Sequence, residues 1–199
     1  MAHDSSPDLE AAAAALDAFL RHVGAPVDDD PELAATGPRV ARLFAEELLS
    51  GYRMDPAAIL SGGTASTAPG QVILRDVAAA TTCPHHLMPA SGVVHLGYEP
   101  GERVIGLGAL GRLVDCFTRR LALQEDLGQA IADALVTHLG ARGAGAVVDL
   151  DPTCMTARGE RRHGARCITT AFSGAWAEQP GARQEFLLAL GTKAPQRPS

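Results

Sequence analysis

The order of patterns along the chain predicts an α+β fold: two strands, two long helices and two further strands, with a helical segment in front. Three observations carry this. Apolar residues from 71 to 98 fall in two short strand-like stretches. From 110 to 139 they recur at helical spacing, with Leu127, Ile131, Leu135 and Leu139 on one stripe. From 146 to 173 the short strand-like runs return.

Ser6 followed by Pro7 reads as a helix start, a hydroxyl cap and then a proline where no amide hydrogen is needed. Leu9, Leu16, Phe19, Leu20 and Val23 then lie near one stripe. Asp30-Pro31-Glu32 predicts a short second helix by the same logic. A third opens near Pro38, carries Val40, Leu43, Phe44 and Leu48 on one face, and ends at Gly51. Ser61 to Gly70, rich in Gly, Ser and Thr, reads as a connector. Strands are expected at 71–80 and 92–98, with a turn at Pro100-Gly101 and a short apolar run at 104–107. Helices follow at 110–120 and 123–139, the second broken at Gly143 to Gly145. Strands are expected again at 146–151, with 154–157 as an extension, and at 167–173; a last helix covers 183–190. The chain therefore divides into an N-terminal helical segment and linker (1–70), a main domain (71–192) and a loose tail (193–199).

With 199 residues the chain holds one domain and an appended segment. Hydrophobic residues make up 46% and aromatics 4%, so the core is built from Ala, Val, Leu and Ile. A net charge of -6 argues against general binding to nucleic acid or a membrane surface. No run reaches the roughly 20 apolar residues of a membrane helix. Met1 to Ser6 lacks a basic stretch followed by an apolar one, so a cytoplasmic protein with reduced Cys83, Cys116, Cys154 and Cys167 is expected.

The chemistry concentrates in Cys83-Pro84-His85-His86 and, far downstream, Cys154 within Thr153-Cys154-Met155-Thr156-Ala157-Arg158-Gly159. Two thiols and an imidazole suit a zinc ion that keeps its fourth position open. Pro84 forces a turn that can aim Cys83 and His86 at one point, which leaves His85 for proton transfer. The bland alternative is a buried thiol beside two surface histidines, because Cys is often a small core residue.

These residues resemble the GTP cyclohydrolase I family. The resemblance runs from Arg39-Val40-Ala41-Arg42 to Gln184-Glu185-Phe186-Leu187. It rests on Cys-x-His-His, the downstream Cys-x-x-Ala-Arg-Gly and Gln124-Glu125, with support from Arg103-Val104-Ile105-Gly106-Leu107, Arg112-Leu113-Val114 and Arg119-Arg120. It implies a tunnelling fold (T-fold), an antiparallel sheet with two helices on one face, assembled as a homodecamer. It further implies zinc on Cys83, His86 and Cys154, His85 as proton donor and acceptor, and Gln124 and Glu125 at the guanine edge. Arg112 and Arg158 would face phosphate, for which a guanidinium fork is well shaped. Each has a structural alternative: Gln124 and Glu125 stand near a helix start where acids are favoured anyway, and Arg158 reads equally as a surface charge. Cys116 reads as core. Cys167 stands where the family usually has Thr or Ser and is not expected to be a ligand.

Three departures are specific. Pro84 replaces the family's Glu, Pro152 its His two residues before the second Cys, and Gly108-Ala109 its Ser-Lys. All three remove polar groups expected near ribose or phosphate, while the zinc set and His85 remain. The expectation is a zinc-dependent hydrolase of the guanine imidazole ring that stops at a ring-opened product or takes fewer phosphates, with Arg161, Arg162 and Arg166 as candidate replacement cations. The competing readings are a non-catalytic purine or pterin binder and a different reaction on the same fold, such as nitrile reduction.

Overall fold

The structure, a computed structural model, describes residues 6–67, 69–159 and 161–191. In chain order its N-terminal part contains α1 (Leu9–His22), α2 (Thr36–Leu43), α3 (Pro56–Leu60) and the two-residue strand β1 (Thr64–Ala65). Then come β2 (Val72–Thr82), β3 (Pro89–Glu99), the short β4 (Arg103–Val104), α4 (Leu107–Thr118) and α5 (Gln124–Ala134). The chain ends with β5 (Gly143–Pro152), the single turn α6 (Thr153–Thr156), β6 (Cys167–Gly174), α7 (Ala175–Glu178) and α8 (Pro180–Gly191).

β2, β3, β5 and β6 form one antiparallel sheet in that spatial order, and β1 pairs with β4 apart from it. Successive strand residues face opposite sides, and the buried set follows that period: Val94, Leu96 and Tyr98 on β3, then Ala144, Ala146, Val148 and Leu150 on β5. Leu110, Leu113 and Val114 of α4, with Leu127, Ile131 and Ala132 of α5, pack into the same core. The expected two helices on one face are therefore present. Trp176 of α7 and Phe186 of α8 form a second cluster with Val147 and Phe172, their rings 5.5 Å apart. Glycines make room for it: a Cβ on Gly145 would stand 2.7 Å from Phe172, and one on Gly97 2.9 Å from Phe186.

Local chemistry explains where the elements differ from expectation. The cap of α1 is Asp8, whose side chain accepts from the Ala11 amide at 2.9 Å, not Ser6. Residues 30–32 form turns and no helix, with the Asp30 carboxylate accepting from the Glu32 amide at 2.9 Å. The same Asp-Pro pair does start a helix at Asp55-Pro56, where Asp55 caps Ala57 and Leu60 becomes fully buried. An exposed cap motif lacks the apolar contact that sustains a short helix. The second long helix ends at Gly140, whose φ of +77° suits a left-handed stop, so Gly143 and Gly145 begin β5 rather than break a helix. Residues 153–156 make a helical turn instead of a strand extension. The expected loose tail at 193–199 lies outside the described residues.

Candidate active site

Three chain segments converge at one end of the sheet. Between β2 and β3, residues 83–88 form a tight loop: the Cys83 amide donates to Met88 O and the Leu87 amide to Cys83 O, both at 2.9 Å. The loop carries His85 and His86, rings 6.3 Å apart and nearly perpendicular. The start of α5 is drawn to this loop because Thr82 bridges Leu121 and its carbonyl accepts from the Ala122 amide at 3.3 Å. On the neighbouring strand, Pro152 pairs with Ala90, so β5 ends beside the start of β3. The α6 turn that follows carries Cys154 and is tied back by the Thr153 hydroxyl, which donates to Pro89 O.

Gln124 fixes α5 to the sheet. It is 9% exposed, and its Nε2 donates to Val148 O at 2.9 Å and to Cys167 O at 2.7 Å. Its amide donors are therefore committed to main-chain carbonyls, while Glu125 beside it stays exposed. Cys83, His85, Gln124, Glu125, Cys154 and Cys167 line one cavity of about 290 Å³. A larger hollow of about 560 Å³ beside β2 carries no thiol or imidazole, and its Asp115 and Arg119 already pair with each other at 3.0 Å. Chemistry rather than size singles out the smaller one.

The remaining expected residues sit elsewhere. His86 shares the loop with His85 but is not on the cavity wall. Arg112 lies on α4, its Nη1 3.7 Å from where a Cβ on Gly108 would stand. Arg158 is exposed in the turn after α6. Of the candidate replacement cations, Arg166 is engaged by Asp149, to the carboxylate at 2.8 Å and the carbonyl at 3.2 Å.

Cys167 is the wall residue that spacing did not assign to the site. Only its register opposite Leu150 reveals it, since Leu150 belongs to the core beneath the helices. Burial first, and then the charges of Glu125 and Asp149, push its thiol above the ordinary range and keep it protonated at neutral pH.

The donor chemistry suits zinc: thiols and imidazole around one cavity are the borderline-soft set that ion prefers. Among the described residues, no three His, Cys, Asp or Glu side chains converge closely enough to hold an ion.

Comparison with known proteins agrees with the motifs. The family described as GTP cyclohydrolase I matches residues 12–191. A GTP cyclohydrolase 1 of Dehalococcoides mccartyi is 39% identical over 172 residues, spanning 84% of this chain and 90% of its own. A GTP cyclohydrolase 1 of Leifsonia xyli subsp. xyli is 40% identical over 187 residues, spanning 91% and 96%. Among solved structures, the archaeosine synthase QueF-Like in its apo form aligns with 55% of this chain and 98% of its own, at a TM-score of 0.45 and 19% identity. With its motifs in order and a match that extends from the first helix to the last, this chain belongs to the GTP cyclohydrolase I family.

Proposed function

We propose that the chain is a cyclohydrolase-type hydrolase that opens the imidazole ring of a guanine nucleotide at C8, and that Cys83, His86 and Cys154 are the residues that would hold zinc, drawing together when it binds. The observation that carries this reading is the cavity at which two of those thiols meet His85 and Glu125. Zinc, when bound, supplies a Lewis acid that activates water at neutral pH. His85 passes a proton to the ring nitrogen released when a C8–N bond breaks; the water oxygen ends on C8, so the ring opens to a formamide. Glu125, acceptor-only when ionised, receives the N–H groups of the guanine edge. Gln124 acts by holding Glu125 in place rather than by donating to substrate.

The second half of the family reaction needs further groups. Pro152 occupies the cavity wall, and Gly108-Ala109 form the first turn of α4, so neither place offers an acid–base group or a cation. This supports a reaction that stops at the ring-opened formamide, or a substrate with fewer phosphates. Arg112 and Arg158 remain the proposed phosphate contacts. The sheet edges β2 and β6, which have no second neighbour among the described residues, support assembly of copies into a homo-oligomer, a decamer by the family resemblance. All four cysteines are unpaired, which suits the reducing cytoplasm. No described helix is long and apolar enough to cross a membrane.

The test is mass spectrometry of products after zinc-supplemented protein meets GTP, GDP, GMP and guanosine in parallel. A ring-opened formamide, or turnover of a less phosphorylated substrate alone, is the expected result. A dihydropterin from GTP at a full rate overturns the restricted version and leaves a complete cyclohydrolase. No turnover of any of the four overturns the hydrolase reading.

A further inference from the structure

Cys167 has no role in the chemistry above, yet it stands on the cavity wall with Glu125. Three facts fix its place. Residues directly opposite in an antiparallel pair share a face, and Cys167 is opposite Leu150, which faces the core beneath α5. Its carbonyl is gripped by Gln124 Nε2 at 2.7 Å, which ties it to the residue next to Glu125. Its side chain and that of Glu125 line the same cavity wall.

From this we infer that Cys167 is a specificity-determining residue of the base site, packing its thiol against the purine edge that Glu125 receives. The inference rests on the guanine-nucleotide reading of this cavity. A thiol is small, polarisable and a weak donor. It gives contact area to an aromatic base without competing strongly for the Glu125 oxygens, which stay available to the guanine N–H groups. It also limits how large a base edge the site admits, because β6 is anchored at this point and cannot retreat without breaking the Gln124 bond.

The experiment is peptide-resolved alkylation of the full chain by N-ethylmaleimide, with and without saturating GTP, beside equilibrium dialysis of GTP. Cleavage after Arg166 puts Cys167 in a peptide free of the other cysteines. GTP is expected to slow Cys167 labelling about tenfold or more by blocking access. GTP binding with Cys167 labelling unchanged overturns the inference and leaves the functional reading standing. Absence of binding by GTP and by GDP, GMP and guanosine dialysed in parallel overturns both. Two variants provide a second readout. Cys167→Leu is expected to raise KM about tenfold with kcat held within about threefold, as for lost uniform binding. Cys167→Ser, similar in size but a stronger donor that competes for the Glu125 oxygens, is expected to raise KM by less than Cys167→Leu does. An unchanged KM in a folded Cys167→Leu overturns the inference; should that variant not fold, the labelling of the natural chain decides alone.

Discussion

Replacing Gln124 with Leu removes the amide that joins α5 to two strands. The residue is nearly buried, and its Nε2 makes two bonds, to Val148 O at 2.9 Å and to Cys167 O at 2.7 Å. Each intramolecular hydrogen bond contributes about 0.5–1.5 kcal/mol net, so the pair contributes about 1–3 kcal/mol. For a chain of this length one kcal/mol moves Tm by roughly 2–4 °C, which predicts a fall of about 2–12 °C. Gln124→Glu keeps the shape but sets a carboxylate against two carbonyl oxygens, and should fall at least as far at neutral pH. Its deficit should shrink in acid, where the protonated carboxyl regains a donor. Circular dichroism melts at one protein concentration make the comparison, since assembly would couple Tm to concentration. A Gln124→Leu melt within about 1 °C of the natural protein, set against the predicted minimum of about 2 °C, refutes the anchoring role.

Gly145→Ala should destabilise the protein by about 1–3 kcal/mol, because the new methyl would stand 2.7 Å from the Phe172 ring in a packed cluster; a denaturant midpoint equal to wild type contradicts this. The raised Cys167 pKa means less thiolate at any given pH, so its alkylation rate should keep rising beyond the unperturbed midpoint of about 8.5. A rate that levels off below that pH rejects the assigned effect of burial and of the Glu125 and Asp149 charges.

Much of the sheet and both long helices were legible because their apolar residues keep one period over many positions. Leu127, Ile131 and Leu135 are fully or almost fully buried, as the stripe requires. Short elements were not legible, because their fate depends on distant contacts. Asp30-Pro31 and Asp55-Pro56 look alike in sequence, and only the second has Leu60 to bury. The site follows the same division. Cys83, His85, Cys154 and Glu125 were named from motifs and stand on one cavity wall. Cys167 was not, since it reaches that wall through a strand register and a side-chain bond from Gln124, neither of which leaves a mark in local spacing. Gln124 was named for the substrate, yet its amide nitrogen serves the backbone. Residues 154–157 read as a strand extension because nothing in them announces a turn, whereas β5 ends at Pro152 and residues 153–156 form a helical turn.

The wall formed by β6 has a consequence for the chain while it is being made. Cys83 leaves the ribosome 84 residues ahead of Cys167 (167 minus 83). At about 5–20 residues per second, that is a delay of roughly 4–17 s. During it the first thiol and the His85-His86 pair exist without the strand that closes their cavity, and Gln124, once made, has at most the Val148 carbonyl until Cys167 follows. The nascent chain thus displays its most reactive groups before it can shelter them, and depends on its surroundings to keep them reduced until the last strand arrives.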